Sequence, residues 1–408
     1  MKKNVIAALA MLVCIAATAG NPGRTLRLDY IFPGTDKTAE IALAGLGSIE
    51  GWAGRCVNMD KVALKGNGQL CMKDAATGKV LYRNSFSTLF QEWQNNEEAV
   101  NVRKSFENVF LVPMPDGKAE ITIELYDNKG AVSASLTHPV DPDDILIRPI
   151  GRNPEPHRYL HRSGPSEEKI DIAIVAEGYS ASESELFYAD AEKAVNDLWS
   201  HEPFASLKDR FNIVAVAAES ADSGVSVPRE GLWLDTALGS HFDTFYSDRY
   251  LTTLHLFRLH DILAGIPYEH IIILANTDTY GGGGIFNSYI LSSAHNEYSS
   301  PVIVHEFGHS FAGLADEYFY DDQYVDFYYP DTEPWEPNIT TLADFRSKWP
   351  DMMGKDGVGL YEGAGYQSKG VYRGSKDCRM QTNTYPSFCP VCERAIRRII
   401  DFYTVESD

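Results

Sequence analysis

The sequence predicts a multidomain chain: an antiparallel β-sandwich followed by an α/β domain built on a mixed twisted sheet. Three observations predict it. Short period-two apolar runs fill residues 21 to about 150, a strand-helix-strand pattern follows, and a helix with two histidines one turn apart beside a glutamate comes later.

Taken in order, residues 1–20, MKKNVIAALAMLVCIAATAG, join two lysines to an apolar run ending in Ala17-Thr18-Ala19. This reads as a secretory signal peptide over residues 1–19, so the expected mature protein is exported to the periplasm, the cell surface or the exterior. Cys14 offers a lipid-anchor alternative, which the bulk of Val13 before it disfavours. No later segment approaches the ~20 apolar residues of a membrane span. With 57 acidic against 36 basic residues the net charge is -21, which argues against nucleic acid and anionic membranes as partners.

The first domain is expected over 20–150. TLRLDYIF, AEIALAG, NVFLVPM and AEITIELYD alternate apolar and polar residues, and KGNGQ, PDGK and DNKG break them, as in a sandwich. The domain shows no compact set of chemically active residues. A proline-rich stretch, HPVDPDDILIRPIGRNPEPHRYLHRSGPSEEK, has the composition of a linker or an extended crossing segment, and the second domain is expected over 151–408.

That domain opens with the buried-looking strand KIDIAIVAEGYS. A helix from Ser182, capped through Glu185, and the strand FNIVAVAAES follow, giving a β-α-β unit. A helix near YLTTLHLFRLHDILAG and the strand HIIILANT come next. GGGGIFNSYILSSAH is read as an edge strand, because four glycines suit a turn or bulge better than a central strand. Its NSYILSS portion is expected to line a substrate cleft and to pair with an extended peptide.

The chemistry concentrates in VIVHEFGHSFAGLADEY, residues 302–318. On a helix His305 and His309 sit one turn apart on one face, and Glu306 is turned ~100° from His305. Two imidazoles so placed can grip one zinc ion, while Glu306 reaches a water that the metal has acidified and acts as general base. A catalytic zinc takes three protein ligands. Gly313 stops the helix, and the next ligand-type side chains are Asp316, the preferred third ligand, and Glu317, the alternate.

HEFGHSFAGLADEY resembles the active-site helix of the metzincin clan of zinc peptidases, and more closely that of the secreted IgA peptidase family, whose third ligand is acidic. Gly313 comes one residue later than in the ordinary metzincin pattern, and an aspartate stands for the third histidine. The resemblance covers about residues 150 to 405. It implies a zincin catalytic domain and one catalytic Zn2+, with a protein or peptide as substrate. It also implies a methionine turn beneath the metal, for which Met380 in DCRMQTN is the candidate.

Tyr372, Arg373 and Tyr385 flank that turn and are candidates for transition-state or substrate contacts. Tyr318 is read as a cleft wall and His295 as a surface or supporting histidine. The acidic segment DEYFYDDQYVDFYYPDTEPWEP carries enough carboxylates for a Ca2+ site but lacks the spacing of an EF-hand. In an oxidising compartment Cys56 would pair with Cys71, and Cys378 with Cys389 or Cys392, leaving one thiol over. CPVC, 389–392, also fits a redox dithiol or a structural zinc site, readings disfavoured for want of a preceding strand and a second such pair. Two rival functions are an inactive peptidase-fold protein that binds glycoprotein or glycan, and a zinc amidase acting on cell-wall peptides. IgA and mucin are candidate substrates of the preferred reading.

Overall fold

The computed structural model describes residues 23–321 and 327–406. The expected signal peptide and Cys14 lie outside them. Among the described residues, eight strands make up the first part of the chain: β1 (Arg24–Gly34), β2 (Ala42–Glu50), β3 (Gly68–Asp74), β4 (Val80–Phe86), β5 (Lys104–Pro113), β6 (Ala119–Tyr126), β7 (Val132–Val140) and β8 (Arg148–Pro149). They form two four-stranded sheets, ordered β5-β1-β2-β8 and β4-β3-β6-β7. Pairing is antiparallel except between β2 and β8. Along β6 every second residue, Ala119, Ile121, Ile123 and Leu125, is buried. These share one core with Leu26, Leu28, Tyr30 and Phe32 of β1, and each large aliphatic side chain so buried contributes ~1.5–3 kcal/mol.

A six-stranded mixed sheet follows: β9 (His157–Arg162), β10 (Ile170–Glu177), β11 (Phe211–Val216), β12 (His270–Ala275), β13 (Gly282–Gly284) and β14 (Ile290–Ser293), in the order β13-β14-β12-β10-β11-β9. The four inner strands are parallel, and both edges are antiparallel. β10, β11 and β12 are buried at every position, because both faces of the sheet are covered and alternation has no polar side to serve. Ala173, Val175, Val214, Ile271 and Ile273 join the core of the first two sheets. Ile172, Ile174, Ile213, Ile272 and Leu274 point the other way, into a core shared with the helices Ser184–Trp199, Ser299–Ala312 and Pro390–Thr404.

Two expectations are corrected and two are narrowed. Of its two readings, the proline-rich stretch takes the extended one, since it supplies β8 and the edge strand β9. The capping box is Ser180 with Glu183, two residues earlier than Ser182 and Glu185, because a 3-10 turn, Ala181–Glu183, leads into the helix. The helix expected near YLTTLHLFRLHDILAG is present as a short one, Leu256–Ile262. Finally, the glycines themselves form edge strand β13, whereas Ile290–Ser293 is an inner, wholly buried strand.

The region after helix Ser299–Ala312 holds a small sheet of β15 (Phe319–Tyr320), β16 (Ile339–Thr340), β17 (Tyr361–Ala364) and β18 (Tyr366–Arg373). The central part of the acidic segment, residues 322–326, lies outside the described residues. Within the rest, Asp316 and Glu317 are the carboxylates that join metal-capable clusters. No disulfide joins the cysteines at 56, 71, 378, 389 and 392, contrary to the expected pairing. Among the described residues, no helix is long and apolar enough to cross a membrane.

Candidate metal centre

Helix Ser299–Ala312 carries the two histidines. Val304, Phe307 and Phe311 are buried against the sheet, which leaves the face bearing His305, Glu306 and His309 toward a cleft. Gly313 ends the helix in the left-handed region at φ 59°, and its N–H donates to the His309 carbonyl at 3.0 Å. A β-carbon is disfavoured in that conformation, so glycine makes the reversal cheap. Leu314 then turns back, its N–H on the Gly308 carbonyl at 3.2 Å, and Asp316 arrives beside the histidines.

The three ligand-type atoms converge. Asp316 Oδ1 is 2.9 Å from His305 Nε2 and 3.2 Å from His309 Nε2, and the two Nε2 atoms are 3.1 Å apart. Zinc bonds of ~2.0–2.1 Å to nitrogen and oxygen imply ligand-to-ligand edges of ~3.3 Å in a tetrahedron, so the donor set fits that ion. Each ring is oriented from behind. His305 Nδ1–H donates to the Arg379 carbonyl at 3.0 Å, and His309 Nδ1–H donates to the Leu314 carbonyl. Both Nε2 lone pairs are thereby aimed at the shared point.

Charge is arranged to match. Burial disfavours a charged His309, yet the adjacent Asp316 carboxylate outweighs it and pushes the imidazole up to about 9. Burial would raise Asp316, but His309 and His305 hold it well below the ordinary carboxylate range. Tyr366 donates its hydroxyl to Asp316 Oδ2, which fixes the carboxylate's second oxygen. Burial pushes Glu306 above its ordinary value.

Of the adjacent carboxylates, Asp316 turns to the histidines and Glu317 turns away. Glu317 meets Cys378, Cys389 and Cys392 instead, and burial pushes it up to about 8. Met380 is wholly buried. A β-carbon on Gly308 would lie 2.9 Å from its sulfur, so Met380 sits directly under the histidine-bearing helix.

The site opens into a cleft of about 910 Å³. Tyr318 lines it. Tyr372, Arg373 and Tyr385 do not: Arg373 is spent on the Glu362 and Gly363 carbonyls and on Gln381. His295 is bonded to Asp190 at 2.7 Å. The wall expected from NSYILSS is instead Gly282–Gly284 with Ile285 and Phe286. At Gly284 a β-carbon would fall 2.5 Å from the Glu306 carbonyl oxygen and 3.1 Å from its Oε2. The bare strand is what allows β13 to lie against Glu306.

Several lining residues escaped the sequence reading. Arg249, Tyr250 and Tyr280 come from loops, and Tyr366 from β18. Glu177 holds the connection before Arg249 by accepting bonds from Thr236, Leu238 and Ser240. The first part of the chain, which shows no reactive cluster in sequence, contributes Lys65, Glu92 and Lys129 to the same cleft. Glu92 accepts the Tyr250 hydroxyl, and its burial pushes it up to about 7 against that bond. Trp335 Nε1 also donates to Asn67 Oδ1 at 2.6 Å, tying the cleft's two walls. No spacing in the sequence relates these residues to the motif.

No curated protein matches this chain. The profile described as Peptidase M64 N-terminus matches residues 21–137. The one described as IgA Peptidase M64 matches residues 159–357 and 354–400, over half of the chain. On that match the chain belongs to the IgA peptidase M64 family and is a peptidase by family.

Proposed function

We propose that the chain is an exported zinc endopeptidase with a metzincin-like catalytic domain over 151–408, walled on one side by a sandwich domain over 20–150. The convergence of His305, His309 and Asp316 beside Glu306 in one cleft carries this reading. Zinc, when bound by these three side chains, supplies a Lewis acid that polarises the scissile carbonyl and acidifies water. Glu306 takes the proton of the attacking water and then delivers it to the leaving amine. Burial raises its affinity for that proton above a carboxylate's ordinary value. Arg249, Tyr280 and Tyr318 line the cleft and offer donors to the developing oxyanion. Met380 supports the helix from below. Its neighbour Arg379 fixes the tautomer of His305 through its carbonyl.

The cleft holds about 910 Å³, and its walls are rich in tyrosine and asparagine. This supports protein substrates, host glycoproteins such as IgA or mucin among them. The test is cleavage profiling of such proteins by the purified chain against Glu306→Ala. Cleavage lost in the variant supports the reading. A wild-type chain that holds zinc and cleaves no protein substrate refutes it.

A further inference from the structure

A second cluster of ligand-type atoms lies behind the catalytic helix, and the peptidase reading makes no use of it. Glu317, Cys378, Cys389 and Cys392, all buried, bring a carboxylate oxygen and three sulfurs within 4.8 Å of one another. Cys378 Sγ and Cys392 Sγ are 3.7 Å apart, nearly twice the ~2.05 Å of a disulfide. Four ligands at ~2.3 Å from a zinc ion stand on a tetrahedron whose sulfur-to-sulfur edges are ~3.7–3.8 Å. The spacing is that of a metal's ligands.

Two further observations point to a cation. Glu317 is wholly buried, with Oε1 meeting Cys392 Sγ at 3.1 Å and Asn338 Nδ2 at 3.0 Å. Its Oε2 has no hydrogen-bond partner, and a buried carboxyl oxygen left so is costly until a donor or a cation meets it. Two of the sulfurs also meet backbone N–H groups. Cys389 N–H donates to Cys378 Sγ at 3.1 Å. The Cys389 sulfur faces the Cys378 and Cys392 thiols and the Val391 and Cys392 N–H groups in the first turn of helix Pro390–Thr404.

We propose that Glu317, Cys378, Cys389 and Cys392 bind a second zinc ion, structural rather than catalytic. All four positions are taken by protein, so no site is left for water or substrate. Binding takes up one Zn2+ and releases the thiol protons; no oxidant or reductant enters. CPVC gains the partners that its own neighbourhood in the sequence lacks: one comes from the Met380 turn and one from the chain beyond Gly313. The ion ties three segments together at a useful place. Glu317 follows Asp316 directly, Cys378 lies two residues before Met380, and the Arg379 carbonyl between them holds His305.

The test is zinc content of the purified full-length chain by inductively coupled plasma mass spectrometry after dialysis against metal-free buffer. Two zinc ions per chain are expected. His305→Ala with His309→Ala should retain one, and Cys389→Ser with Cys392→Ser should also retain one. Loss from the cysteine variant only would speak against the catalytic centre, and loss from the histidine variant only would overturn this proposal. Should the cysteine variant fail to fold, the wild-type chain refolded with Co2+ should show sulfur-to-cobalt charge transfer in the near ultraviolet. Absence of that band, or a disulfide among these three cysteines in the non-reduced peptide map, overturns the proposal.

Discussion

The backbone N–H of Glu317 donates to the Met380 carbonyl at 2.8 Å. The segment carrying the third ligand candidate is therefore hydrogen-bonded to the turn beneath the helix. Anything that loosens this contact should be felt at Asp316 before it is felt in the core.

Glu306→Gln keeps the side chain's shape and removes its basicity. Peptidase kcat/KM should fall ~10²–10⁴-fold, while zinc content stays at the wild-type value. A fluorogenic peptide assay beside metal analysis separates the two. Wild-type turnover in this variant would remove Glu306 from the mechanism.

Tyr366→Phe deletes the hydroxyl that holds Asp316 Oδ2. Groups that orient a ligand from behind are worth ~10–100-fold in metal affinity or activity, and a competition titration with a chromophoric chelator reads this directly. Tyr372→Phe, on the same strand but away from the cleft, serves as the control and should leave affinity unchanged. Equal effects from both would mean that β18 acts only as scaffold.

Gly284→Ala forces a methyl group toward the Glu306 carbonyl, where only 2.5 Å is available. Strand and helix must part, which should cost about 1–3 kcal/mol in stability and displace the Glu306 carboxylate. Thermal unfolding and turnover are expected to drop together. A variant as stable and active as wild type would show that β13 yields freely.

In chelator-treated protein the His309–Asp316 pair makes stability depend on pH. His309 titrates near ~6.5 when unfolded and at about 9 when folded. Its contribution is complete below the first value and lost as pH climbs through the second. Asp316, held low, adds stability that is present above ~3.9 and lost as pH falls. Urea midpoints of the metal-free chain should therefore decline from pH 6.5 toward 9, and His309→Gln should flatten that decline. Zinc should bind more tightly over the same interval, since protons compete for His309.

How much was legible in advance depends on how local the physics is. The two sheets of β1–β8 and the inner strands β10–β12 announce themselves because burial alternates every two residues, or is continuous where both faces are covered. Composition left residues 138–169 open between a linker and an extended crossing segment for a related reason. Proline and charge suit edge strands as well as they suit linkers, and edge pairing is decided by which neighbour is present. The glycines of β13 were misplaced likewise. Their role is to leave room for a helix that comes later in the chain.

The sequence by itself determined the helix that bears His305, Glu306 and His309 and the turn at Gly313, because helical periodicity and the left-handed cap act within a few residues. It brought Asp316 and Glu317 to the end of that turn without choosing between them. Tertiary structure made the choice: Tyr366 and the histidines draw Asp316 one way, and Asn338 and the buried cysteines draw Glu317 the other. It also decided that the first sheets would wall the cleft and that Tyr372, Arg373 and Tyr385 would not. Those outcomes rest on packing between segments far apart in the chain, and no residue's near neighbours carry that information.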